Sequence, residues 1–155
     1  MRNIHQLIKL LCFICLLNSS VAFAKRIPNI VINQAWSRVT APSVKTGAVF
    51  MDIKVNHTDD VLIGAQTNRA KKVELHTHID DNGVMRMREV KGGIPLVHGT
   101  TTSLKPGGLH IMLFDVTSPL KLGDTFEVTL KFKNTPDQTI TVLVDNGQQT
   151  SHMNH

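Results

Sequence analysis

Cysteine is almost absent from this sequence of 155 residues, and its two cysteines, Cys12 and Cys15, both lie among the first 24 residues. That segment has a basic start, a short apolar run and the small-residue end Ala-Phe-Ala, which together are typical of a secretory signal peptide. We therefore expect residues 1–24 to be cleaved, which leaves a mature chain without cysteine. Such a chain has no disulfide, no thiolate nucleophile and no thiolate metal ligand.

A long hydrophobic run is also missing. The apolar stretch 10–17 is shorter than the roughly 20 residues that cross a bilayer as a helix. An uncleaved membrane anchor is the alternative, and the Ala-Phe-Ala end argues against it. We expect an exported protein, in a bacterial periplasm, with no stable membrane insertion after cleavage.

Basic residues slightly outnumber acidic residues. The sequence has 17 basic and 12 acidic residues, and removal of Arg2 and Lys9 with the signal leaves 15 basic residues, a net charge of +3. This balance indicates neither a nucleic-acid-binding surface nor a polybasic membrane patch.

Helical periodicity is absent, whereas strand signals recur about every ten residues between Gly-, Pro- and Asp-rich turns. This pattern predicts an all-β sandwich or barrel, formed as a single domain by residues 25–147. The turn "DDNG" (80–83) predicts a hairpin, and Trp36 is expected to lie in the core rather than over a bound ion. The predicted strands are 30–39, 47–55, 61–67, 72–79, 84–90, 109–116, 125–132 and 139–146.

Histidine and methionine are concentrated in three places. The segments are "ELHTHIDDNGVMRM", with His76, His78, Met85 and Met87; "HIM", with His110 and Met112; and the terminal "HMNH", with His152, Met153 and His155. The last group lies in a segment, 148–155, that lacks apolar periodicity and is expected to be a flexible tail.

Strand geometry brings members of each pair together. Side chains two residues apart share one face of a strand, so His110 and Met112 project together, and so do His76 and His78. Thioethers are soft ligands that suit Cu(I), and imidazole suits copper in either oxidation state. Without cysteine a blue-copper centre is excluded, and we expect no carboxylate beside these residues, which argues against a calcium or magnesium site. Each residue alone is more often structural, so the spacing leaves both a copper site and ordinary packing open.

The motifs resemble those of the periplasmic PCuAC copper chaperones, whose signature is His, ten residues, Met, about twenty-one residues, then His-x-Met. His76 is followed by ten residues and Met87, and "HIM" supplies the last pair after a gap of twenty-two residues, one more than usual. The segments "AWSRVT", "GAVFMDI", "LKPGGLHIML" and "LKLGDTFEVTLKF" are also similar to the family, so the resemblance covers residues 30 to 145.

This resemblance implies a cupredoxin-like Greek-key β-sandwich that binds Cu(I) and passes it to the CuA site of cytochrome c oxidase. The implied partners are cytochrome c oxidase subunit II, a Sco-type protein, or both. The implied Cu(I) ligands are His76, Met87, His110 and Met112, with secondary roles for His78, Met85, His152, Met153 and His155. We therefore predict a copper chaperone and not an enzyme. The alternatives are a periplasmic copper buffer for tolerance and a metal-free exported sandwich used in adhesion or assembly.

Overall fold

Residues 27–147 are described by a computed structural model, and they form ten β-strands and no helix. The signal segment and the terminal His/Met tail lie outside the described residues. The strands are β1 (Ile30–Arg38), β2 (Thr46–Val55), β3 (Asp60–Gln66), β4 (Ala70–Asp81), β5 (Val84–Glu89), β6 (Ile94–Leu96), β7 (Thr101–Leu104), β8 (His110–Val116), β9 (Thr125–Phe132) and β10 (Gln138–Asp145).

The strands are hydrogen-bonded in the order β5-β4-β8-β2-β1-β10-β9-β3-β6, and β7 pairs with β2 beyond the end of β8. The β1–β10 pairing is parallel, and the other pairings are antiparallel. One buried cluster contains side chains from both halves of this order, so the sheet folds on itself into two packed layers. The prediction of an all-β sandwich is confirmed.

The alternation of apolar residues explains which strand faces meet in the core. In β9, Phe126, Val128, Leu130 and Phe132 are buried, whereas the residues between them are exposed or half-buried. Burial of each such side chain stabilises the fold by about 1.5–3 kcal/mol relative to exposure. The opposite face of each strand does not pack into the core, so it can carry polar and functional side chains.

The β4–β5 hairpin forms at the predicted turn. Asn82 and Gly83 have φ angles of +56° and +83°, the left-handed pair that a two-residue type I′ turn requires. The Asp80 carboxylate accepts a hydrogen bond from the Gly83 N–H at 2.6 Å and closes the turn. The turn sets the register in which Asp81 lies opposite Val84.

Two features differ from the sequence-based predictions. The short strands β6 and β7 lie in the Gly-punctuated segment between Glu89 and His110, where no strand is predicted. Trp36 is half-buried instead of lying in the core, because a register shift between Asn33 and Trp36 turns it to the outer face, where its ring lies 4.7 Å from that of Phe50. Within residues 27–147, no helix has the length and apolar character needed to cross a membrane.

Candidate metal centre

Strands β4 and β8 are neighbours in the sheet, and their register places His76 directly opposite His110. One pair further along, Glu74 lies opposite Met112. Residues opposite each other in antiparallel strands project to the same face, as do residues two apart in one strand. The intervening Leu75 is buried in the core, so this histidine–methionine face is the outer face of the layer.

Strand β5 adds its methionines to the same face. Met87 lies opposite His78 and Met85 lies opposite Asp80 across the hairpin. The four residues implied as Cu(I) ligands therefore share one face of three adjacent strands, β5, β4 and β8, together with His78 and Met85. Their role as ligands stays a prediction.

His110 lies at the centre of the histidine group. Its ring centroid is 5.2 Å from that of His78 and 5.9 Å from that of His76. His110 is only 3% exposed and His76 only 9%, whereas Met87 on the edge strand is 41% exposed. The group thus runs from two buried imidazoles to an accessible thioether.

An open cavity of about 380 Å³ lies over this face. Its lining includes His78, Met87, His110 and Met112, and the apolar side chains of Val39, Val44 and Phe50. His76 is not among the lining residues, and its ring lies beside that of His110, with 5.9 Å between the centroids. The structure thus gathers three of the four predicted ligands and the secondary residue His78 at the cavity, and the fourth predicted ligand, His76, is in ring contact with His110.

The hydrogen bonds of His110 indicate which ring nitrogen is free. Its Nδ1 lies 2.9 Å from the carbonyl oxygen of Gly108, which can only accept, so Nδ1 carries the proton. Burial lowers the pKa of His110, and the nearby His78 and His76 contribute to the same direction, while the Gly108 hydrogen bond opposes it. The ring is therefore neutral at pH 7, with a lone pair on Nε2. A neutral imidazole is the form that binds metals.

In His76 the other ring nitrogen, Nε2, has the hydrogen-bond partner. Its Nε2 lies 2.8 Å from Oε2 of Glu74, and its Nδ1 is buried without a hydrogen-bond partner among the described residues. A buried nitrogen without a partner costs about 1–3 kcal/mol, and coordination of a metal ion by that nitrogen would offset this cost. The expectation that no carboxylate lies beside the histidines is wrong, because Glu74 precedes His76 by two residues and shares its face.

Among residues 27–147, no three side chains of the His, Cys, Asp and Glu types are arranged to hold one metal ion. The remaining candidate donors on this face are the thioether sulfurs of Met85, Met87 and Met112. Hard cations do not bind thioethers well, whereas Cu(I) does.

Sequence reasoning missed three parts of this centre. They are the Glu74 carboxylate, the Gly108 carbonyl that orients His110, and the wall of the cavity formed by Val39, Val44 and Phe50. Glu74 could have been found from the same two-residue period that pairs His76 with His78. The other parts come from distant segments and carry no local signal.

A family model described as "Putative lipoprotein LpqE-like" matches residues 30–144. "Putative lipoprotein Lxx21020" of Leifsonia xyli subsp. xyli (strain CTCB07) is 30% identical over 134 residues, which cover 86% of this chain and 80% of the relative. "Uncharacterized protein RP573" of Rickettsia prowazekii (strain Madrid E) is 28% identical over 117 residues, 73% of this chain and 65% of that protein.

Solved structures share the fold. The copper-bound PCuAC domain from PmoF2 has a TM-score of 0.64 and 22% identity, with coverage of 77% of this chain and 95% of the domain. The Cu(I) form of DR1885 from Deinococcus radiodurans also has a TM-score of 0.64, with 26% identity and coverage of 84% and 87%. The fold and the histidine–methionine face define a PCuAC-type protein, as the sequence motifs predict. The chain belongs to the LpqE-like family.

Proposed function

We propose that this protein is an exported copper chaperone that binds Cu(I) through His76, Met87, His110 and Met112. The observation that carries the proposal is the convergence of these side chains on one face of three adjacent strands, with two buried imidazoles beside soft thioethers. Two structural neighbours carry copper, which supports the same function for this chain.

The donor atoms fit this cargo. His76 has an unpartnered buried Nδ1 and His110 has a lone pair on Nε2, so each ring offers one nitrogen. Met87 and Met112 add two uncharged sulfurs, and a set of two nitrogens and two sulfurs suits a soft monovalent ion. The apolar wall of the cavity keeps the low dielectric that favours a singly charged ion with neutral ligands.

The gradient of exposure supports a role in transfer. Met87 lies on the edge strand at the cavity, where the ligands of an acceptor can reach it before they reach the buried histidines. Exchange then proceeds by replacement of one ligand at a time, with His110 released last.

For the compartment and the client, we propose the periplasm and the CuA site of cytochrome c oxidase, reached through subunit II directly or with a Sco-type protein. The family and the Leifsonia relative are described as lipoproteins, which supports export. The proposal assigns no enzymatic activity to the chain.

The decisive experiment is X-ray absorption spectroscopy of the mature protein loaded with Cu(I), combined with a competition titration against a chromogenic Cu(I) chelator. We expect a mixed shell of two nitrogen and two sulfur neighbours and an affinity far tighter than micromolar. Micromolar or weaker binding would instead support the metal-free adhesion or assembly module.

A copper buffer differs from a chaperone in its effect on the client. Deletion of the gene should lower cytochrome c oxidase activity in copper-limited medium, and added copper should restore that activity. Unchanged oxidase activity in copper-limited medium, with poorer growth in excess copper, would identify a buffer.

A further inference from the structure

Glu74 lies on the histidine–methionine face, two residues before His76 on β4. Its two carboxylate oxygens have different partners: Oε2 lies 2.8 Å from His76 Nε2, and Oε1 lies 2.5 Å from Lys72 Nζ. The Glu74 side chain is 16% exposed, compared with 65% for that of Lys72. The carboxylate is therefore held between a surface cation and a largely buried imidazole. The Lys72 ammonium also lies 5.3 Å from the centroid of the Phe114 ring.

The protonation of this pair follows from its chemistry. The Lys72 ammonium donates to Glu74 Oε1, and a glutamate side chain paired with an ammonium group is a carboxylate at neutral pH. An ionised carboxylate can only accept hydrogen bonds, so His76 Nε2 must carry a proton. In a neutral imidazole the other nitrogen then has the lone pair, and that nitrogen is the buried Nδ1 without a partner.

We infer that Glu74 is a positioning residue, which holds His76 in the Nε2–H form and turns its Nδ1 toward the bound ion. The inference rests on the proposed function. It makes the two histidines unequal, because His110 is oriented by a backbone carbonyl and offers Nε2, whereas His76 is oriented by a side chain and offers Nδ1. Residues that orient a metal-binding histidine typically change metal affinity about 10- to 100-fold when they are replaced.

Glu89 provides a matched control. It lies opposite His76 on β5 and shares its face, but it is exposed and has no hydrogen bond to His76 in the structure. A glutamate that acts only through its negative charge near the site would behave like Glu89. A glutamate that acts through its contact with Nε2 would not.

The test compares the wild type with Glu74→Ala, Glu74→Gln and Glu89→Gln in two measurements. The first is ¹⁵N and ¹H NMR of the His76 ring in the copper-free protein at a mildly alkaline pH. We expect a hydrogen-bonded Nε2–H proton and a lone-pair Nδ1 in the wild type and in Glu89→Gln. We expect loss of that proton signal or a mixture of ring forms in Glu74→Ala.

The second measurement is Cu(I) affinity by chelator competition, with thermal unfolding as the check on folding. Glu74→Ala should bind Cu(I) about 10- to 100-fold more weakly, Glu89→Gln should match the wild type, and Glu74→Gln should lie between them, since its amide oxygen can still accept from Nε2–H. If Glu74→Ala does not fold, Glu74→Gln carries the comparison.

The outcomes separate this inference from the proposed function. A wild type that binds Cu(I) tightly while Glu74→Ala and Glu74→Gln show unchanged affinity and an unchanged His76 ring would overturn the role of Glu74 alone. A wild-type ring protonated on Nδ1 would overturn it as well. A wild type without tight Cu(I) binding would overturn the proposed function, whatever the NMR shows.

Discussion

Among residues 27–147, two histidine–carboxylate pairs have the same separation of 2.8 Å but different surroundings. His98 and Asp59 form one pair on the surface, where the side chains are 64% and 65% exposed. His76 and Glu74 form the other, where they are 11% and 16% exposed. Only the second pair lies beside further imidazoles and thioethers.

This contrast shows that the pair itself does not make a metal centre. In water both nitrogens of His98 can find partners, and an exposed ion pair contributes little to stability. At His76 burial leaves Nδ1 with no partner, and neighbouring strands supply donors of the right softness. Burial and neighbours, not the hydrogen bond, distinguish the candidate centre.

The largest expected effect comes from removal of a donor at the buried end. His110→Ala or Met112→Ala should weaken Cu(I) binding by more than the roughly 100-fold upper limit typical of residues that only orient a ligand. Chelator competition measures the loss, with His98→Ala as the control on the exposed pair. Unchanged Cu(I) affinity in the two site variants would show that these residues are not ligands. The buried pair would then differ from the exposed pair in burial but not in metal binding.

Asp60 extends the comparison to stability, because it follows the exposed Asp59 directly but is only 3% exposed. Its carboxylate accepts hydrogen bonds from the backbone N–H groups of Val61, Asn134 and Thr135 at 2.8–2.9 Å. Burial by itself raises the pKa of Asp60, but these hydrogen bonds outweigh it and the pKa is lowered. Asp60→Asn should therefore lower the free energy of unfolding by about 2 kcal/mol at pH 7, because one of these partly buried N–H groups loses its acceptor and the buried charge that they stabilise is removed.

The sign of the pH dependence follows from that lowered pKa. The ionised Asp60 stabilises the fold fully above its unfolded-state pKa near 3.8, and this contribution is lost as the pH falls through the lower folded-state value. Urea unfolding between pH 7 and pH 2 should show the difference between wild type and Asp60→Asn shrink below about pH 4. A constant difference across that range would show that the charge of Asp60 is not the cause.

His78 should give a smaller effect on copper. It lines the cavity and lies 5.2 Å from His110, ring to ring, but its Nδ1 is 3.4 Å from the Gly108 carbonyl and it is not among the residues implied as ligands. We expect His78→Ala to weaken Cu(I) binding less than tenfold, below the range typical of orienting residues. A loss as large as that of His76→Ala, measured in the same competition assay, would place His78 in the ligand set.

The smallest effect is expected at the exposed pair. Asp59→Asn removes the partner of His98, and both side chains are accessible to water and salt. The unfolding temperature and the Cu(I) affinity should match those of the wild type at 0.15 M salt. A clear change in either quantity would show that exposure is a poor guide to the importance of such a pair.

Several elements of the fold could be predicted because their signals are local. The alternation in 125–132 and the Asn82-Gly83 turn need only a few neighbouring residues, and both are confirmed. Strands β6 and β7 were missed because they have three and four residues and are stabilised by pairing with β3 and β2 rather than by their own pattern. The position of Trp36 depends on a β-bulge between Asn33 and Trp36, and the sequence of this segment does not predict that bulge.

The sequence alone determined which side chains share a face within each strand, since a strand has a period of two residues and nothing distant changes it. It also determined that the sulfur donors of the mature chain are thioethers, because no cysteine lies beyond residue 24. Only the tertiary structure decided that β4 lies against β8, which brings His76 and His110 together across 34 positions of sequence. It alone decided which nitrogen of each ring is free, because that depends on partners and burial that exist only once the two layers have packed.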